Sequence, residues 1–299
     1  MGSINIDMVM FTPHFPAVGE TVMTDNFHKT YGGKGSNQAV AASRMGADVQ
    51  FLGKLSDDDH SAELWSALEA NGVDMSLMYR EAGSTAGVAL IFVNPDGDNM
   101  ITCTTGANGL LTPGEVTRKA HCFTPGSILL TTLETGVQTV LQSLKEAKSR
   151  GAFTVLDPAP ISAEMDIASM AEYVDIIKPN EVEASIITGI EVTDPQSAGQ
   201  AAKKLAEMGF KLPIVTLGAQ GCVMLEEGAL RVFPGHRRAT VDATAAGDTF
   251  IGGLVARLSR GETIEEALAF AMKAAAICVS APGAQNSIPF LETVLSSEY

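Results

Sequence analysis

The chain has 299 residues, enough for one large α/β unit or two smaller domains, with 45% hydrophobic and 18% charged residues. Its apolar runs stop short of the roughly 20 residues that cross a bilayer, and a formal net charge of −15 at pH 7 argues against nucleic acid and anionic membranes as partners. An anionic nucleotide held locally by backbone N–H groups and Mg²⁺ is not excluded by net charge.

Cys103, Cys122, Cys222 and Cys278 show no C-x-x-C spacing and lie in apolar or strand-like stretches, so they read as reduced core thiols. Met1 to Asn5 has no basic segment leading into an apolar one, and the cytoplasm is the expected location. No repeat, low-complexity tract or Pro/Ser linker divides the chain.

The chain opens with Gly2-Ser3-Ile4-Asn5-Ile6-Asp7, in which Asn5 and Asp7 are suited to binding hydroxyls. Met8 to Thr30 is strand-prone. Gly32-Gly33-Lys34-Gly35-Ser36-Asn37-Gln38-Ala39 then opens a helix, Asn37 to Met45, closed by Gly46. The glycines let backbone approach a ligand, and Asn37 offers both a donor and an acceptor, although such a turn also serves merely to start a helix. A second helix, Ser61 to Asn71, closes at Gly72, and Trp65 within it reads as core. Val88 to Val93 and Asn99 to Cys103 flank Asn94-Pro95-Asp96-Gly97-Asp98 as a hairpin.

From Ala120 onward, short apolar runs alternate with amphipathic segments closed by glycine, the pattern of a parallel sheet with crossover helices. The strands are Ser127 to Leu133, Phe153 to Leu156, Val174 to Ile177 and Ile214 to Leu217; the helices are Val137 to Arg150 and Ala198 to Met208. Glu134, Asp157, Asn180 and Thr216 end these strands, where open α/β sheets bind ligands. Pro179-Asn180-Glu181-Val182-Glu183 reads on its own as a helix start with acidic residues favoured by the helix dipole. Thr216-Leu217-Gly218-Ala219-Gln220-Gly221 lacks the Walker and dinucleotide fingerprints and, taken alone, fits a hairpin.

The strongest local signal is Asp242-Ala243-Thr244-Ala245-Ala246-Gly247-Asp248-Thr249-Phe250, leading into an apolar helix from Ile251 to Leu258. Small residues at a helix start leave N–H groups facing an anion, and an acid in the first turn can take a proton from an attacking hydroxyl. As an isolated Gly-Asp, Asp248 would more simply be a helix cap. The five histidines show no paired metal spacing, and the 13 methionines read as core filler.

Together these segments resemble the ribokinase-like carbohydrate kinase family, also called the PfkB family, over Gly2 to Pro289. The run ending in Asp248 resembles its D-T-x-x-A-G-D-x-F signature, with Ala243 in place of the usual Thr, and the Gly32 segment resembles G-G-K-G-x-N-Q-A. The fold implied is a three-layer α/β/α domain with a mainly parallel sheet (residues 1–7, 31–83 and 106–299) and a discontinuous β lid (8–30 and 84–105). The resemblance makes Asp248 the base and Ala245, Ala246 and Gly247 the anion hole. It gives Asn5, Asp7, Gly32, Gly33, Lys34, Gly35, Asn37, Glu134 and Asp248 itself to the sugar, and Asn180, Thr216, Leu217, Gly218, Ala219, Gln220, Gly221 and Met272 to ATP, together with Gly247 and Asp248. Glu183 would hold Mg²⁺ through water. Asp242, Thr244, Cys278, Ala281, Gly283 and Ser287 would surround K⁺.

The activity implied is transfer from ATP to the 5-hydroxyl of D-ribose, with deoxyribose, fructose, fructose 1-phosphate or a nucleoside as alternative acceptors. A non-catalytic sugar or nucleotide sensor is the alternative of another class, and a homodimer joined through the lid is expected. Relatives carry glycines around the acidic turn Ser56 to Ser61, an Asn where Met272 stands, a basic loop at Ser280 to Pro282, and apolar residues ahead of Gly-Ser-x-Asn. These departures lead us to expect a more apolar base pocket, an altered cation or nucleotide affinity, and a first strand cut short by a late start.

Overall fold

The structure, a computed structural model, describes residues 1–236 and 238–298. In chain order its strands and helices begin with β1 (Asn5–Phe11), β2 (Phe27–Gly32), α1 (Lys34–Arg44), β3 (Lys54–Ser56), α2 (Asp59–Ala70), β4 (Tyr79–Glu81), β5 (Gly87–Val93) and β6 (Asn99–Thr104). They continue with α3 (Pro113–Lys119), β7 (Ile128–Thr132), α4 (Val137–Ser149), β8 (Phe153–Asp157), β9 (Ile176–Ile177), α5 (Glu181–Thr188) and α6 (Pro195–Glu207). The last third holds β10 (Leu212–Thr216), β11 (Gly221–Glu226), β12 (Ala229–Pro234), α7 (Ala246–Leu258), α8 (Ile264–Cys278) and α9 (Leu291–Ser296).

The larger sheet has the order β12-β11-β10-β9-β8-β7, parallel from β7 to β10 and antiparallel beyond. Successive side chains on a strand point to opposite faces, and here both faces are apolar. Val155, Ile176, Ile214, Cys222 and Met224 pack with Ile251, Leu254 and Leu268 of α7 and α8. Their neighbours Leu156, Ile177, Val215 and Val223 pack on the other side with Val140, Leu144, Ala198 and Leu205 of α4 and α6. Continuous apolar runs are what a strand covered by helices on both sides requires, so the three layers follow from the pattern.

The smaller sheet, β2-β1-β5-β6, joins β1 to β5 in parallel and to β2 antiparallel, with β5 and β6 forming the hairpin. The strand-prone stretch Met8 to Thr30 resolves into the end of β1 and most of β2, with residues 12–26 outside any strand. Pro13, Pro16 and Gly19, φ +85°, lie in that connection and interrupt pairing. Ahead of β1, the Met1 ammonium donates to the Leu130 carbonyl at 2.7 Å.

Candidate active site

Because β7 to β10 run parallel, their carboxyl ends share one edge of the sheet, and Thr132, Asp157 and Thr216 close β7, β8 and β10 there. Glu134 follows β7 by two residues and is not merely solvated. Its Oε2 accepts the Lys34 backbone N–H at 2.9 Å and the Ser3 hydroxyl, tying the first turn of α1 to the start of the chain. Burial, then the charge of Asp248, pushes its carboxyl above the usual range, and the Ser3 and Lys34 contacts only partly offset this.

The glycine segment is shaped by close approach. Gly33 opens α1 with φ +90°, and a Cβ on Gly35 would stand 2.6 Å from the Gly2 Cα. A Cβ on Gly32 would run into the Asp7 carboxylate, so Gly32 is what gives Asp7 its place. No donor among the described residues reaches that carboxylate; burial, together with the charge of Glu134, pushes its pKa up to about 6. Asn5 lies over Gly87 and accepts from Asn108 Nδ2 at 2.9 Å. Asn108 also spans the Ile4 peptide, accepting its N–H at 2.9 Å and donating to its carbonyl at 3.0 Å. Sequence reasoning passed over Asn108; its only signal was its place in Gly106-Ala107-Asn108, directly after β6.

Lys34 stands among carboxylates. Burial opposes its charge, but Asp248, Asp157, Glu134 and Glu183 outweigh that and hold its pKa above the ordinary lysine value. At this edge α1 crosses α7 closely, since a Cβ on Gly252 would sit 2.8 Å from the Gln38 carbonyl. The crossing brings Asn37 Nδ2 to 3.0 Å from Asp248 Oδ2 and Gln38 Nε2 to 3.0 Å from Asp248 Oδ1. Asp248 is 7% exposed, and burial raises its pKa against the pull of Lys34. Asn37 Oδ1 is buried with no partner among the described residues, an acceptor that a hydroxyl ligand would satisfy.

Ala245 takes the left-handed conformation, φ +61°, and turns the chain into α7. Ala246 N–H bonds the Ala243 carbonyl at 3.2 Å and Thr249 N–H the Ala245 carbonyl at 2.8 Å. Among the described residues the Gly247 and Asp248 N–H groups between them have no backbone acceptor, the condition for binding an anion, whereas the Ala246 N–H, expected in the anion hole, is spent within the turn.

On the other side of this turn lies a cavity of about 440 Å³. Of the residues assigned to ATP by resemblance, Asn180, Thr216, Gly218, Ala219, Gly221, Gly247 and Met272 line it. Leu217 is instead core, and Gln220 turns outward to donate to the Thr193 carbonyl at 3.2 Å. Phe250, Met272, Ala275 and Val279 make one wall of it apolar. The Thr216 segment is also the hairpin its bare sequence suggested, joining β10 to antiparallel β11 with Gly221 at φ +98°.

Asn180 and Glu183 form a capping box at the start of α5: Asn180 Oδ1 accepts the Glu183 N–H at 2.8 Å, and Glu183 Oε2 accepts the Asn180 N–H at 2.9 Å. Burial, then the charge of Asp157, raises the Glu183 pKa. In the C-terminal loops Asp242 Oδ1 accepts from Thr244 N–H at 2.9 Å, and its Oδ2 accepts from Gly283 N–H at 2.9 Å. Cys278 Sγ lies 3.7 Å from the Thr244 carbonyl and 3.1 Å from Ser287 Oγ, which donates to the Ala284 carbonyl at 2.8 Å. The Cys278 carbonyl accepts the Ala281 N–H at 3.2 Å. The loops thus bring Asp242, Thr244, Cys278, Ala281, Gly283 and Ser287 together.

Residues 1–291 match the family model described as pfkB family carbohydrate kinase. The chain belongs to this family. A ribokinase of Haemophilus influenzae is 38% identical over 295 residues, covering 99% of this chain and 96% of the relative. The crystal structure of a ribokinase from Thermotoga maritima superposes with a TM-score of 0.89 at 34% identity, covering 99% of this chain and 96% of that one. An Arabidopsis thaliana ribokinase complexed with ribose and ATP superposes with a TM-score of 0.90 at 29% identity, covering 98% and 96%. As a pfkB carbohydrate kinase, the chain has the three-layer α/β fold expected of it.

Proposed function

We propose that the chain transfers the terminal phosphoryl group of ATP to the 5-hydroxyl of D-ribose, giving D-ribose 5-phosphate. The observation that carries this reading is the placement of the first turn of α7. Ala246 and Gly247 border the 440 Å³ cavity, while Asp248 turns away from it toward Asn37 and Gln38. A nucleotide in the cavity and a sugar beside Asp7, Asn5 and Asn37 would meet at that turn.

Asp248 takes the proton of the attacking hydroxyl as the oxygen bonds to phosphorus, and the raised pKa from burial makes its carboxylate a better acceptor. The Gly247 and Asp248 N–H groups face the charge that develops on the transferred phosphoryl oxygens. Asp7 and Asn5 hold ring hydroxyls, and Gly32, Gly33 and Gly35 let the backbone come close to them. Mg²⁺ supplies neutralisation of the phosphate oxygens when bound; hard oxygens from Asn180 and Glu183 suit it through water. Asp242, the Thr244 carbonyl and Ser287 are oxygen donors suited to K⁺, with Cys278, Ala281 and Gly283 contributing carbonyls.

The chain is proposed to work in the cytoplasm, where free thiols persist, and as a homodimer through the small sheet. Met10, Phe27, Leu90 and Met100 leave an apolar patch exposed there, and a second copy would cover it. We treat residues 8–30 and 84–105 as the lid.

The test is ATP turnover with ribose, deoxyribose, fructose, fructose 1-phosphate and nucleosides, in sodium and then in potassium. Fastest turnover with ribose supports the reading, and no turnover with any acceptor defeats it in favour of a sensor. Asp248→Asn should lower kcat by about a thousandfold with ribose affinity nearly unchanged.

A further inference from the structure

Gln38 lies in the glycine-rich segment but has a different set of partners from the residues assigned to sugar. Its amide Nε2 donates to Asp248 Oδ1 at 3.0 Å and to Asp157 Oδ2 at 2.7 Å, one N–H to each carboxylate. The other oxygen of Asp157, Oδ1, is 3.2 Å from the Lys178 ammonium. Gln38, Asp157 and Lys178 are each 2–3% exposed, so the chain of contacts is sealed from solvent. At its far end, a Cβ on Gly247 would stand 3.7 Å from Lys178 Nζ, which places that cation beneath the turn carrying the anion hole.

Three different elements meet in this chain: α1 supplies Gln38, the end of β8 supplies Asp157, and the residue after β9 supplies Lys178. Two buried carboxylates sharing one amide is an arrangement with little to recommend it as packing alone, because like charges in a dry site repel. What it does provide is orientation. An amide anchored on Asp157 fixes the rotation of the Asp248 carboxylate, so that Oδ1 is bonded to Gln38 and Oδ2 to Asn37, each with a lone pair remaining.

We infer that Gln38 is a positioning residue of the phosphoryl transfer, tying the proton-accepting carboxylate of Asp248 to the buried Asp157–Lys178 pair. The inference rests on Asp248 being the base. Besides Gln38, the groups facing Asp248 are Lys34 and Asn37 from α1, Asp157 at the end of β8, Glu134 after β7 and Cys278 from α8. A donated N–H favours the charged carboxylate, whereas the Asp157 charge disfavours it. Removing the amide and neutralising Asp157 must therefore move the acid limb of kcat in opposite directions.

The experiment is the pH profile of kcat, and the ribose KM, for the full chain with ribose and MgATP, comparing the parent with Gln38→Met, Asp157→Asn and Asp248→Asn. In Gln38→Met the acid limb should rise by about one pH unit, so that kcat falls about tenfold below it and recovers above it, with ribose KM changed less than about threefold. In Asp157→Asn the limb should fall. A Gln38→Met limb that stays in place, or a loss of kcat that is independent of pH and matched by a rising KM, overturns the inference. If circular dichroism shows Gln38→Met unfolded, the Asp157→Asn limb decides, and a limb that does not fall overturns the inference equally. Full kcat in Asp248→Asn is a separate outcome: it removes the base on which the inference stands.

Discussion

Asp7 carries a cost that can be measured without any substrate. Its pKa is pushed from 3.8 up to about 6, first by burial and then by the charge of Glu134. Folding therefore favours the protonated form. The stability this group contributes is complete below the unfolded value of 3.8 and is lost as pH rises through about 6. At 1.36 kcal/mol per unit the full shift corresponds to about 3 kcal/mol, and partial solvent access reduces this to about 1–2 kcal/mol. Asp7→Asn keeps the shape and removes the titration. Substrate-free urea unfolding should show the variant about 1–2 kcal/mol more stable than the parent near pH 8, with the gap closing near pH 4. Its ribose affinity should fall at the same time, since Asn cannot accept two hydroxyl bonds on a charged group. A gap of equal size at both pH values, or no gap near pH 8, refutes the assignment of strain to this carboxylate.

Gly32→Ala places a methyl group against the Asp7 carboxylate, so ribose KM should rise about tenfold or more while kcat with saturating ribose changes less; initial-rate kinetics check this. Asn108→Ala removes three bonds at the Ile4 peptide and Asn5, leaving a buried backbone N–H unpaired, and should cost about 2–4 kcal/mol in denaturant unfolding along with weaker ribose binding.

Much of the fold was legible because strands buried on both faces have no polar alternation to blur them. Phe153 to Leu156 and Ile214 to Leu217 were recognisable as strands for that reason, and their polar ends marked the site edge. The hairpin β11–β12 was missed because Gly221 to Glu226 follows a glycine loop whose turn signals hid the strand. The acidic turn near Ser56 lacks the expected glycines, yet Asp58 does the work through its side chain. It caps α2 at the Ser61 N–H, 2.8 Å, and reaches the Ala86 N–H at 2.9 Å. Asn5, Asp7, Asn37 and Asp248 could be nominated from motifs, but their support could not. Asn108 lies 103 residues from Asn5 and Gln38 lies 119 from Asp157, so neither contact leaves a local trace.

Asn180 and Glu183 show why a bland reading and a chemical one need not compete. The capping box is real and uses one oxygen from each side chain, but Glu183 Oε1 takes no hydrogen bond among the described residues. One carboxylate can thus start α5 and still offer an oxygen to water around Mg²⁺. Two substitutions separate the roles. In Glu183→Gln the amide oxygen still accepts the Asn180 N–H, so thermal stability should stay within about 0.5 kcal/mol of the parent, whereas Glu183→Ala loses the cap and should cost about 1 kcal/mol. Both lose the charge, so both should require about tenfold more Mg²⁺ for half-maximal turnover. Because burial and Asp157 raise the Glu183 pKa, the parent's own Mg²⁺ requirement should grow as pH falls, and the Gln variant's should not. A Gln variant with the parent's Mg²⁺ dependence would leave Glu183 as a cap alone.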